Sequence, residues 1–245
     1  MKRYLRARLA GNLVLMIAIV FLACIAALFR EEKPQNSEIE LPSNTELTLP
    51  VIMIDPGHGG ADCGAVGING ILEKDVNLKL SMYVAEAFES AGYSVLLTRD
   101  TDIMLTDESA VHTTKKSSDL SARVKASDAA DIFISIHMNK FPEEKYSGAQ
   151  IYYSVNDPLS QKLAQMIQDG VRASLQQENT RSVKSGEGLF LLDRITVPAV
   201  ICECGFLSNK AEAEKLADEE YLRALAFEIF SAIDDFVIES CFQST

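Results

Sequence analysis

VIMIDPGHGG, residues 51–60, runs four apolar side chains straight into Asp55-Pro56-Gly57. Residues of this kind fit a buried strand, and Asp-Pro-Gly stops it at a tight turn. His58 stands in that turn with a glycine on either side. Glycine lacks Cβ, so the backbone can take unusual angles and approach a ligand closely. An imidazole at the C-terminal end of a sheet strand, on a loop carried by a rigid scaffold, is well placed for binding or catalysis. For this stretch alone, an incidental surface histidine is an equal competitor.

Downstream of the strand, strands and helices alternate. A Gly-rich loop follows, then a helix over Glu73–Ala91 with Val76, Leu80, Val84, Ala87 and Phe88 at helical spacing, closed by Gly92. Tyr93–Thr98 reads as a strand. Asp100–Ser117 is polar and aperiodic, and reads as a surface loop carrying a solvated His112. A short helix is expected from Ser118 or Asp119 to Ala130, and a fully apolar strand over Asp131–His137. Ala149–Ser154 is a further strand, and Asn156-Asp157-Pro158 has the chemistry to start a helix reaching Gln177. Strands are expected at Leu189–Leu192 and Ala199–Cys204. Asn209 with Glu212 then makes a capping box before helices that run to Ser240. Six strands interleaved with helices predict an α/β fold, a twisted, mostly parallel sheet with helices on both faces and a single catalytic domain.

Upstream lies a different kind of sequence. Four cations (Lys2, Arg3, Arg6, Arg8) precede Leu9–Phe29, which is 21 residues with Asn12 as its one strongly polar member. As a helix that is long enough to cross a hydrocarbon core of about 30 Å. It exceeds the usual apolar stretch of a secretory signal, which favours an anchor. The charge asymmetry keeps the N-terminus in the cytoplasm and exports everything after Arg30. Three segments are therefore expected: 1–29 as a signal or membrane anchor, 30–50 as a polar, Pro-punctuated linker, and 51–240 as the catalytic domain.

The net charge of −12 argues against nucleic acid, whose phosphates demand Lys and Arg. Five cysteines at irregular spacing make no disulfide framework.

The chemistry collects at strand ends. His58 and His137 both terminate apolar strands, and such ends converge on one rim of an open α/β sheet. Glu73 opens the first helix, an ordinary place for an acid. Glu203 is less ordinary, because it sits inside the apolar run AVICECGF, where an unpartnered carboxylate is costly. Alternation puts Ile201, Glu203 and Gly205 on one face and Cys202 and Cys204 on the other, so the thiols read as small core residues rather than metal ligands. Two imidazoles and a carboxylate are the ligand set of a catalytic zinc site with an open position, and a second carboxylate supplies proton transfer. Spacing alone leaves open which glutamate ligates. Arg99, Arg123 and Asn139 are candidate oxyanion donors or, equally, structural residues. Asp62 or Asp75 could orient an imidazole. A phosphate-binding loop is the rival reading, but the Gly-Lys-Ser/Thr and Gly-x-Gly-x-x-Gly patterns are both missing.

Taken together, DPGHGGADCGAVGINGILEKDVNL, LLTRDTD, DLSARVKASDAADIFISIHMN and PAVICECGFLSNKAEAEKL resemble the successive motifs of the zinc-dependent N-acetylmuramoyl-L-alanine amidases, over about residues 51–238. The resemblance implies one zinc ion held by His58, Glu73 and His137, with Glu203 as the catalytic glutamate. It also implies a peptidoglycan substrate, cut between the lactyl group of muramic acid and L-alanine of the stem peptide. SGAQIYYS, ENTRSV, LFLLDRITVPAV and GFLSN resemble the germination-specific, spore-cortex members, which prepare muramic-δ-lactam. That likeness implies action in the cell envelope or forespore intermembrane space. An envelope or sporulation partner protein is a candidate regulator, and the N-terminal apolar segment ties the chain to the membrane if it stays uncleaved. The alternatives are a general cell-wall amidase and a catalytically silent envelope-binding module of the same fold. The span from Asp102 to Asp119 is longer than the family's usual short link.

Overall fold

The computed structural model describes residues 48–109 and 111–242. The apolar segment at 9–29 and most of the linker lie outside the described residues. Among those described, no helix is long and apolar enough to cross a membrane.

The elements follow as β1 (Val51–Pro56), α1 (Glu73–Ser90), β2 (Ser94–Leu97), α2 (Lys115–Ser127), β3 (Ile132–Asn139), β4 (Gln150–Tyr153), α3 (Ser160–Ser174), β5 (Lys184–Ser185), β6 (Ala199–Phe206), α4 (Lys210–Ala217) and α5 (Glu219–Phe242). They build a six-stranded sheet in the order β2-β1-β3-β6-β4-β5. Every neighbouring pair is parallel except β4 with β6. The expected α/β sheet is therefore present, and it is mixed.

Strand alternation sends Ile52, Ile54, Ile134, Ile136, Val200, Cys202 and Cys204 to one face, where they meet buried residues of α1, α3 and α5. The other face carries Met53, Phe133, Ala199 and Ile201 against α2 and the buried trio Leu191, Leu192 and Ile195. Both faces are closed, as a largely parallel sheet requires. Asp55, Ser135, His137 and Glu203 continue the second face toward the strand ends, so the site grows out of the edge of the smaller core.

Several boundaries differ from the sequence expectation. Leu189–Leu192 is not a strand: Asp193 N bonds to Leu189 O and Ile195 N to Leu191 O, each at 2.9 Å. The buried residues here follow the spacing of a helical turn, which a short apolar run cannot distinguish from a strand. The edge strand is Lys184–Ser185 instead. Helix α2 starts earlier than expected, at Lys115, because Thr114 and Ser117 cap it reciprocally and free Ser118 and Asp119 for other contacts. It also stops earlier, at Ser127. Helix α3 begins at Ser160 and ends at Ser174, short of Gln177. Asp157 accepts from Leu159 N at 2.8 Å in a local turn, while Asn156 donates to Leu192 O and Ile195 O. Asn209 caps α4 as expected, but the Glu212 carboxylate turns away to accept from Gly148 N and Phe206 N, both at 2.8 Å. His112 is half-buried rather than solvated, with Nε2 3.0 Å from Asp107 Oδ2.

Candidate metal centre

At the end of β1 the chain must turn sharply beneath another strand. Gly57 is required there, since a Cβ would lie 2.2 Å from Nε2 of His137. His58 follows with φ 60°, a left-handed conformation that costs a non-glycine residue free energy. Three side chains hold the loop in that shape through its carbonyls. Arg123 Nη2 donates to His58 O at 2.7 Å and Nη1 to Pro56 O at 2.9 Å. Arg99 donates to Pro56 O and Gly57 O, each at 2.9 Å, and Asn77 to Gly57 O at 3.1 Å. Arg123 is itself anchored by the buried carboxylates of Asp55 and Asp119. Ser135 and Thr98 also donate to Asp55, each at 2.6 Å. Burial alone would raise the Asp55 pKa, but Arg123 and the two hydroxyls outweigh it and hold the carboxyl below its usual range.

The loop delivers His58 to Glu73 and His137. Oε1 of Glu73 lies 3.2 Å from His58 Nε2 and 3.0 Å from His137 Nδ1. One ligand atom from each residue falls within 4.8 Å of the others. The two rings meet edge to face with centroids 5.0 Å apart. Ala65 N, at 2.7 Å, donates to the other oxygen of Glu73. Asp62 Oδ2 stands 3.0 Å from His58 Nδ1, the backing partner that leaves Nε2 free to ligate. Of the two acids considered for this part, Asp62 makes that contact. Burial works against charge on Glu73, yet the imidazoles win and push its pKa well below the carboxylate range. His58 is desolvated too, and Glu73 and Asp62 nonetheless raise its pKa. Two nitrogens crowding one anionic oxygen are satisfied by shared protons or by a cation between them. Two imidazoles with one carboxylate is a donor set that suits zinc.

Glu203 belongs to the neighbouring strand, in register with His137 on one side and Gln150 on the other. Its Oε2 is buried and accepts no hydrogen bond among the described residues. Burial first, and the Glu73 charge after it, raise its pKa against the pull of His137 and His58. A buried carboxylate atom in this condition costs stability.

The remaining candidates separate cleanly. Arg99 and Arg123 are almost fully buried and spend their donors on backbone carbonyls and, for Arg123, on Asp55 and Asp119, so they shape the site rather than face a substrate. Asn139 Oδ1 accepts from Lys140 N at 2.8 Å. Cys202 and Cys204 point into the larger core, where burial pushes both thiols up. The Asp55–Arg123–Asp119 assembly escaped the sequence reading. Its signal was available: an acid inside the apolar strand VIMIDP, and an Asp–Arg pair four residues apart on a helix.

Residues 52–235 match the N-acetylmuramoyl-L-alanine amidase family, Amidase_3. The germination-specific N-acetylmuramoyl-L-alanine amidase of Bacillus subtilis is 37% identical over 201 residues, 81% of this chain and 84% of the relative. Among solved structures, the CwlD amidase of Clostridioides difficile, in complex with the GerS lipoprotein, superposes with a TM-score of 0.72 at 35% identity. That alignment covers 77% of this chain and 98% of the other. The amidase AmiC2 of Nostoc punctiforme gives a TM-score of 0.65 at 28% identity, over 76% of this chain and 96% of the other. On a matched span that reaches all six strands and both strand-end histidines, this chain belongs to the N-acetylmuramoyl-L-alanine amidase family and is an amidase acting on peptidoglycan.

Proposed function

We propose that the chain is a zinc hydrolase of the lactyl–L-alanine amide, with His58, Glu73 and His137 holding the ion and Glu203 moving the proton. The observation that carries this reading is the orphaned Oε2 of Glu203, one strand away from the imidazole of His137. Zinc bound at this donor set lowers the pKa of water and polarises a carbonyl. Glu203 then takes a proton from the attacking water as the water oxygen bonds to the lactyl carbonyl carbon. The carbon–nitrogen bond breaks, and Glu203 returns the proton to the alanine nitrogen, which leaves as an amine. A buried carboxyl whose pKa is raised above the ordinary carboxylate value accepts a proton more readily than a solvated one and holds it for return. Asp62 keeps the His58 ring in the orientation that faces Glu73.

The substrate in this reading is spore cortex, with muramic-δ-lactam formation as the downstream consequence. Support comes from the likeness to a relative named for germination. Segment 1–29 exports the chain and anchors it if uncleaved, 30–50 tethers it, and 51–240 works outside the cytoplasmic membrane. The CwlD complex with the GerS lipoprotein supports an envelope partner for this chain as well.

Digesting purified cortex and vegetative peptidoglycan with the full chain tests the reaction. Stem peptides with a free L-alanine amine, beside de-peptidated muramic acid, are the expected products by mass, with cortex preferred. Glycan fragments instead, with no such peptides, overturn the assignment. The zinc assignment has its own readout: about one zinc per chain in the wild type, and loss of that metal in His58→Ala and His137→Ala. Full retention in either variant removes that histidine from the ligand set.

A further inference from the structure

Beyond the metal centre, one cation on the same rim, Arg181, makes no direct ion pair among the described residues: the Glu212 carboxylate feels its charge but spends its oxygens on Gly148 N and Phe206 N. Arg181 Nε donates to Ser147 O at 2.8 Å. Its guanidinium carbon sits 4.6 Å from the centroid of the buried Phe206 ring and 5.9 Å from that of Tyr146. The backbone is pinned as well: Asn179 Oδ1 accepts from Arg181 N at 3.0 Å, and Arg172 donates to Arg181 O. Among the described residues no carboxylate lies within ion-pair distance of the guanidinium, in a chain of net charge −12.

Its position ties it to the reaction. Ser182, the next residue, accepts from the side chain of Gln150, and Gln150 stands in register opposite Glu203. Tyr152 lies two residues along β4 on the Glu203 face. Burial first and Glu203 second raise the Tyr152 pKa, while Arg181 opposes them, so this phenol feels both charges. Gln150 therefore links the backbone beside Arg181 to the strand position opposite Glu203.

The substrate has a chemical asymmetry that matches. Once the lactyl carboxyl is in amide linkage, the N-acetylated sugars carry no charge, and the anionic groups near the bond are carboxylates of the peptide. We infer that Arg181, stacked on Phe206, forms a subsite for a carboxylate of the stem peptide and sets specificity for the anionic peptide. A planar, preorganised fork recognises a carboxylate through two parallel hydrogen bonds and loses little entropy on binding.

This inference rests on the amidase reading, and the test separates the two. N-acetylmuramoyl-L-alanyl-glycine is compared with its C-terminal carboxamide, using the full chain with zinc. The carboxylate substrate is expected to be favoured about tenfold in kcat/KM, mainly through KM. Arg181→Met, which keeps an apolar stem over Phe206, brings that ratio to about one, and Arg181→Lys leaves an intermediate preference. A purely structural Arg181 would slow both substrates equally. An undiminished ratio in Arg181→Met, or a wild-type ratio of one, overturns the subsite while leaving the amidase reading intact. Failure of the wild type to cleave either compound overturns both.

Discussion

Asp55 and Glu203 are two carboxylates set into apolar strands on the same face of one sheet, and the protein treats them oppositely. Around Asp55 it packs a guanidinium and two hydroxyls, and the acid titrates below its usual range. Around Glu203 it leaves an oxygen buried and unpartnered, and the acid titrates above its usual range. The first arrangement rigidifies the β1 end and, through Arg123, holds the left-handed His58. In the second, a buried oxygen is left without a donor at a cost in stability, as the proposed proton-transfer role requires. Strain and unsatisfied polar groups of this sort concentrate where chemistry is done, with the surrounding structure carrying the cost.

The contrast can be broken at either acid. The largest expected effect is on turnover: Glu203→Gln lowers the amidase rate by about 10²–10⁴ while zinc stays at wild-type stoichiometry. Unchanged turnover would remove Glu203 from the reaction. Next in size is Arg123→Met, which strands Asp55 and Asp119 as buried anions and costs about 3–5 kcal/mol. For a domain of this size that is a fall in thermal midpoint on the order of 10 °C. A chelator competition on the same variant should show weaker zinc binding, because the His58 carbonyl has lost a donor.

The smallest effect, and the sharpest discriminator, is the pH dependence of stability in zinc-free protein. Asp55 has a depressed folded pKa, so its contribution is fully present above the ordinary value of 3.8 and is lost as pH falls through the folded value. Asp55→Asn should therefore flatten the acid side of the stability profile. Glu203 has an elevated folded pKa, so its penalty is absent below the ordinary 4.5 and complete above the folded value. Glu203→Gln should raise the thermal midpoint at neutral pH and leave it unmoved at pH 4. Equal gains at both pH values would contradict a desolvated carboxylate at this position.

Burial leaves a local trace in the chain, and that trace was readable. Apolar runs ending in His58 and His137 marked two strands and their rim, and an acid amid AVICECGF marked Glu203 as costly. The failures share a cause. Leu189–Leu192 is too short for its period to separate strand from turn, and Ser118 and Asp119 look like helix starters although their side chains serve Asp107 and Arg123.

Sequence by itself determined the alternation of strands and helices, the two imidazoles at strand ends and the anomalous glutamate, because side-chain period and hydrophobicity are properties of neighbours along the chain. Only the tertiary structure decided that Glu73 meets both imidazoles while Glu203 stands opposite one of them, that Asp62 rather than Asp75 backs His58, and that Arg99 and Arg123 grip the loop. Those are distances between side chains on separate elements, set by how the sheet and helices pack, and no local pattern encodes them.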